Sequence, residues 1–163
     1  GIHTGSMVTG NMGSTHRMNY TMMGDTVNIA ARLESSAKQY GIYTHISEET
    51  YGAVKDSMTV RELDKVIVMG RSEPVQTYEL IAEKGQEPGI YKEIIPQFHE
   101  ALELYKKQEW DKAQTVFESL EKLEDMFPGR KTNPSHVYSE RCTHLKNNPP
   151  GEDWDGVWTL TSK

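Results

Sequence analysis

The stretch from Arg17 to Glu34 changes character in its middle. Arg17-Met18-Asn19-Tyr20-Thr21-Met22-Met23 is extended and flanked by turn residues, whereas Asp25-Thr26-Val27-Asn28-Ile29-Ala30-Ala31-Arg32-Leu33-Glu34 is strongly helical. Asp25 suits an N-cap after Gly24, because its carboxylate accepts the free N–H groups of the first turn and sits at the positive end of the helix dipole. The spacing predicts a helix over 25–39 with Gly41 as its stop. Val27, Ala30, Ala31 and Ala37 fall on one side of it and Ile29, Leu33 and Tyr40 on the adjoining side, a broad stripe at helical period. Asn28 and Arg32 lie outside that stripe and one turn apart, with Cβ atoms about 6 Å from each other. An amide and a guanidinium aimed at one point suit a ribose and a phosphate, the guanidinium through its rigid fork of donors. The helix alone leaves open a solvated face with Arg32 paired to Glu34 or Glu48.

The flanking sequence sets this helix in an α+β pattern. Gly5, Gly10 and Gly13 punctuate short extended runs and predict a hairpin before the helix. They do not make a phosphate-cradling loop, since no Gly-Lys-Ser/Thr follows and no helix opens directly after them. After Gly41 come a short strand at 42–46, a helix opened by Ser47 and Glu48 with Thr50, Tyr51 and Val54 toward the core, and strands at 60–69 and 75–82. The order β, β, α, β, α, β, β predicts an α+β sheet with helices on one face.

Lys84-Gly85-Gln86-Glu87-Pro88-Gly89 has linker composition, so residues 1–84, a linker at 85–89 and a helical tail at 90–163 are the expected divisions. In the tail, Phe98, Leu102 and Tyr105 recur at helical period, with Pro96 expected in that helix's first turn. A short gap leads to Trp110, Ala113, Phe117 and Leu120, which predicts an antiparallel pair able to fold as its own cooperative unit. Ala101, Leu104, Ala113, Phe117 and Leu120 have the spacing of one tetratricopeptide-like unit, with no second copy. Asn133 as N-cap and Pro134 at the first helical position start a third helix through Val137, Tyr138, Arg141, Cys142 and Leu145, ended by Pro149-Pro150. Trp154 and Trp158 lie in a polar tail and are expected to dock in a groove, on the helices or on a partner.

Composition narrows the function classes. A hydrophobic content of 36% in 163 residues supports a modest core. No apolar run approaches the roughly 20 residues of a membrane span, so no membrane segment is expected. A net charge of −6 without basic clusters argues against a nucleic-acid surface. A lone cysteine, Cys142, leaves no internal disulfide and makes the cytoplasm the expected compartment, with the thiol as a buried small residue. The six histidines show no metal-ligand spacing.

Read together, Gly1-Ile2-His3-Thr4-Gly5, Gly10-Asn11-Met12-Gly13-Ser14, Arg17-Met18-Asn19-Tyr20-Thr21, Gly24-Asp25-Thr26-Val27-Asn28 and Ala30-Ala31-Arg32-Leu33-Glu34 resemble the class III adenylate/guanylate cyclase catalytic domain. The resemblance continues through Ile46-Ser47-Glu48, Leu63-Asp64-Lys65-Val66, Val68-Met69-Gly70-Arg71-Ser72-Glu73-Pro74-Val75 and Thr77-Tyr78-Glu79-Leu80. Many spaced identities over about eighty residues are far more specific than any one glycine motif. They cover the second half of that domain, a partial ferredoxin-like cyclase sheet.

The resemblance implies an active site at the interface of two cyclase domains, with a homodimer as the expected assembly and ATP as substrate. Thr21 stands where the family reads the purine, Asn28 where it orients the ribose, Arg32 where it stabilises charge at the reacting phosphate and Arg71 where it holds the terminal phosphates. The magnesium or manganese ions of the complete enzyme, and a lysine that helps read the purine, are implied to depend on residues that precede this stretch in the family. The chain by itself is therefore expected to be an incomplete catalyst. The alternative function is a non-catalytic dimerisation module whose helices bind a partner protein.

Overall fold

The hairpin forms from β1 (Val8–Ser14) and β2 (Arg17–Met23), which pair antiparallel with Gly10 opposite Thr21. The computed structural model describes residues 1–67, 74–124 and 128–159. The hairpin forms its own two-stranded sheet, with Val8, Met18, Tyr20, Met22 and Met23 exposed.

Helix α1 runs Asp25–Tyr40. Gly24, not Asp25, occupies the N-cap position, with φ of 145°. That is a region L side chains rarely adopt, so the chain's turn out of β2 requires glycine and moves Asp25 into the first helical turn. Its carboxylate still complements the dipole there. The start of α1 is also tied down by Thr26, whose hydroxyl donates to the Ser6 carbonyl at 2.8 Å. The buried stripe is narrower than the sequence pattern: Ile29, Leu33, Ser36, Ala37 and Tyr40 are buried, while Ala31 is exposed. Gly41 ends the helix with φ of 70°, and a Cβ there would meet the Thr132 carbonyl oxygen at 1.8 Å.

The main sheet has the order β3-β5-β4-β6, from β3 (His45–Ser47), β4 (Met58–Ile67), β5 (Val75–Glu83) and β6 (Trp158–Thr159). Helix α2 (Glu48–Val54) is capped by Ser47, whose hydroxyl accepts from Thr50 N–H at 3.4 Å. The expected strand end at Val68 and Met69 lies outside the described residues. Register places His45, Glu79 and Arg61 in one cross-strand row. His45 packs under α1, where burial pushes its imidazole down to about 4 and keeps it neutral. Arg61 packs under the tail, so α1 and the tail cover the same face. The neighbouring row, Ile46, Tyr78 and Glu62, turns the other way, and there Tyr78 stacks on Tyr51 of α2 with ring centroids 4.2 Å apart.

The tail comprises α3 (Tyr91–Lys106), α4 (Trp110–Glu121) and α5 (Pro134–Asn147). Pro96 lies inside α3 rather than in its first turn, because the helix already begins at Tyr91. Proline deprives the Lys92 carbonyl of its partner, yet both residues are exposed, so water can satisfy that group. Edge-to-face contacts of Phe98 with Phe117 at 5.3 Å and of Tyr105 with Tyr138 at 5.0 Å lock the three helices around one core. Cys142 is buried in that core, which pushes its thiol up to about 12. Trp154 and Trp158 both dock on the helices, Trp154 against Tyr105 at 5.1 Å and Trp158 against His144 at 5.6 Å.

Asn133 caps α5 by accepting from His136 N–H at 2.8 Å, and its amide donates to the Glu124 carbonyl at 3.2 Å. Asn133→Ala is expected to lower stability by about 1 to 2 kcal/mol. Urea unfolding with an unchanged slope and a lower midpoint is the expected result.

The tail also covers the free edge of β4. A bulge between Glu62 and Asp64 leaves Leu63 without a partner on β5, and its carbonyl accepts instead from the Tyr138 hydroxyl at 2.7 Å. Glu62 N–H donates to His99 Nε2 at 3.0 Å, and β6 pairs in parallel with Val66 and Ile67. An edge that would otherwise invite strand addition is thereby closed. Beneath it, Arg61 is fully buried and bonds the carboxylates of Glu79 and Glu124, the second at 2.6 Å. Buried charges cross the composition break at 85–89.

Candidate functional site

Three of the four expected site residues are described, and α1 and β2 place them. Asn28 is exposed and Arg32 half-buried, one turn apart on α1. Thr21 is exposed on β2, three residues before the Gly24 turn that joins the strand to the helix. The helix therefore brings Asn28 and Arg32 together through its own geometry, whereas Thr21 comes from a separate element, β2. Arg71 lies outside the described residues.

Among the described residues, the side chains of Thr21, Asn28 and Arg32 have no hydrogen-bond or ion-pair partner, and neither Glu34 nor Glu48 takes the guanidinium. The structural alternative of a paired surface arginine is thus not what this helix shows. With no partner among the described residues, the guanidinium and the amide one turn from it keep their donors available to a ligand. Such a pair can hold an anionic group and a hydroxyl-bearing group at once.

No group of three or more His, Cys, Asp or Glu side chains among the described residues is placed to hold a metal ion. The residues described here therefore do not fit the magnesium or manganese ions that the sequence resemblance implies.

The sequence reading attached no role to the buried ionic groups. Asp64, Arg61 and Glu79 all lie in strands, and Arg141 falls at a core spacing of α5 beside Tyr138, Cys142 and Leu145. A charge at a core position is itself the signal, because it demands a buried partner. Burial lifts Glu79 above the ordinary carboxylate range, with Arg61 opposing and Glu124 adding to the shift.

Residues 1–82 match the family described as the adenylate and guanylate cyclase catalytic domain. The chain belongs to that family. It is similar to a terminal-differentiation-specific adenylate cyclase of Dictyostelium discoideum, with 32% identity over 146 residues, covering 87% of this chain and 7% of that protein. It is also similar to adenylate cyclase 1 of Rhizobium meliloti, with 42% identity over 81 residues, 50% of this chain and 12% of that one. Guanylate cyclase alpha of Plasmodium falciparum matches at 33% identity over 123 residues, 71% of this chain and 3% of that protein. Among solved structures, the adenylyl cyclase CyaB from P. aeruginosa aligns with a TM-score of 0.46 at 37% identity, covering 54% of this chain and 44% of that one. The chain thus spans a small part of the curated relatives it matches. A match of 146 residues cannot be confined to residues 1–82, so similarity to the Dictyostelium protein continues into the tail.

Proposed function

We propose that this chain supplies the purine-recognition and transition-state side of an adenylate cyclase, which converts ATP to cyclic AMP and pyrophosphate at the interface of two cyclase domains. The observation that carries the reading is the Asn28 and Arg32 pair, one turn apart on α1 inside the family match and, among the described residues, without hydrogen-bond or ion-pair partners. In the reaction the ribose 3′-OH attacks the α-phosphorus and the bond to pyrophosphate breaks. The side-chain amide of Asn28 orients the ribose for that attack. The Arg32 guanidinium holds charge that grows on the α-phosphate oxygens, and a fixed cation there needs no reorganisation as the charge develops. Arg71 is assigned to the terminal phosphates. Metal ions would be held by residues other than those described here, and when bound would supply charge neutralisation and lower the pKa of the attacking hydroxyl.

Thr21 is assigned to the purine. Its hydroxyl can accept from the adenine amino group and lacks the carboxylate that guanine's N–H donors favour. A hydroxyl also donates, so the expected preference for ATP is moderate. The test mixes the purified chain with a cyclase domain carrying two metal-binding aspartates and an inactivating change at its own arginine equivalent. The chain alone should yield no cyclic nucleotide with ATP and magnesium, and the mixture should yield cyclic AMP in excess of cyclic GMP from equal ATP and GTP. Excess cyclic GMP overturns the substrate, and no product from the mixture overturns the catalytic reading.

A further inference from the structure

Helix α1 is anchored at both ends by groups that the cyclase family match does not explain equally. Its first turn hangs on the Thr26 to Ser6 hydrogen bond, inside the matched segment. Its last residue, Tyr40, is held from the tail. The Tyr40 hydroxyl donates to Asp64 Oδ2, and Arg141 on α5 donates to both, to Asp64 Oδ2 at 2.6 Å and to the Tyr40 oxygen at 2.9 Å. Tyr40 is 0% exposed, Asp64 3% and Arg141 6%. The guanidinium plane is further fixed by stacking, 4.7 Å from the Trp158 ring centre and 4.9 Å from that of Tyr138.

Asp64 is in turn built into the sheet. Its Oδ1 accepts from Lys65 N–H at 2.8 Å, and its carbonyl accepts from the Thr77 hydroxyl and the Gln76 amide, each at 3.0 Å. Arg141 therefore joins α1 to the β4–β5 ladder through one buried charge pair, and Trp158 closes it from β6. We propose that Arg141 is a positioning residue for the active site, fixing the rotation of α1, and with it Asn28 and Arg32, against the sheet. The inference rests on the cyclase reading of Asn28 and Arg32. Arg32 lies eight residues before Tyr40 on an unbroken helix, about 12 Å along the axis. A rigid helix transmits a rotation at one end to side chains at the other, and sub-ångström errors at a phosphate are felt strongly in the rate.

The variant that tests this is Arg141→Lys, which keeps a cation beside Asp64 but loses the fork that also binds Tyr40. Arg141→Met combined with Asp64→Asn is the second, since it removes the buried charge instead of stranding it. On the chain alone, amide hydrogen exchange at residues 25–33 should quicken by about five-fold in both variants while α3 and α4 keep their rates. In the mixture with the aspartate-bearing domain, kcat should fall about 10-fold with KM for ATP within two-fold. A purely structural role would speed exchange throughout the tail and leave kcat unchanged below the melting transition. Wild-type exchange in 25–33, or wild-type kcat in a folded Arg141→Lys protein, overturns the proposal. A wild-type mixture that makes no cyclic nucleotide overturns the cyclase reading and the catalytic part of this one, while the exchange rates on the chain alone still decide whether Arg141 holds α1.

Discussion

Arg32→Ala in the assembled enzyme is expected to lower kcat by about 10²-fold or more, with nucleotide binding much less affected. The guanidinium is assigned to charge that appears only as the α-phosphate rearranges, so its loss falls on the transition state rather than on the ground-state complex. Arg32→Lys should recover little, because an ammonium offers a point charge where a planar fork is needed. Steady-state kinetics check this directly. An unchanged kcat in Arg32→Ala would return the residue to the solvated helix face.

The second large effect concerns stability. Arg61→Ala is expected to destabilise the fold by about 3 to 5 kcal/mol, because it leaves the buried carboxylates of Glu79 and Glu124 facing each other with no cation between them. The loss should shrink on acidification. In the variant Glu79 keeps the burial that raises its carboxyl above the unfolded value and loses the Arg61 cation that opposes it, so protonation restores stability as pH falls and the deficit is largest at neutral pH. Urea unfolding of both proteins at pH 7 and pH 5 measures it. A variant equally destabilised at both values would mean that lost packing against Phe98, which lies 4.8 Å beneath the guanidinium, dominates instead.

How far the fold and site were legible varied with the kind of signal each residue carries. Local patterns were strong where backbone chemistry decides the outcome: Gly41 stops α1, Ser47 caps α2, and Asn133 with Pro134 opens α5. Asp25 looked like a cap on composition, but the left-handed geometry at Gly24 could not be weighed without the strand that precedes it. The Asn28 and Arg32 pair was visible because helical spacing alone sets it. The partners of Arg61 and Arg141 were not, since Glu124 lies 63 positions from Arg61 and Asp64 lies 77 from Arg141. Nothing in local spacing encodes a contact across that distance. The parallel pairing of β6 was hidden for the same reason, and because two residues carry no period.

The closed edge of β4 bears on how such a chain could be recombined. A segment cut where the family match ends would carry Arg61 away from Glu124 and Tyr138 away from the Leu63 carbonyl. Grafting residues 1–84 onto a foreign tail would therefore transfer a bare strand and a cation with half its counter-charge. The inheritable unit is larger than the family signature, and a chimaera would need matching changes on both sides of residues 85–89 to keep β4 covered and Arg61 paired.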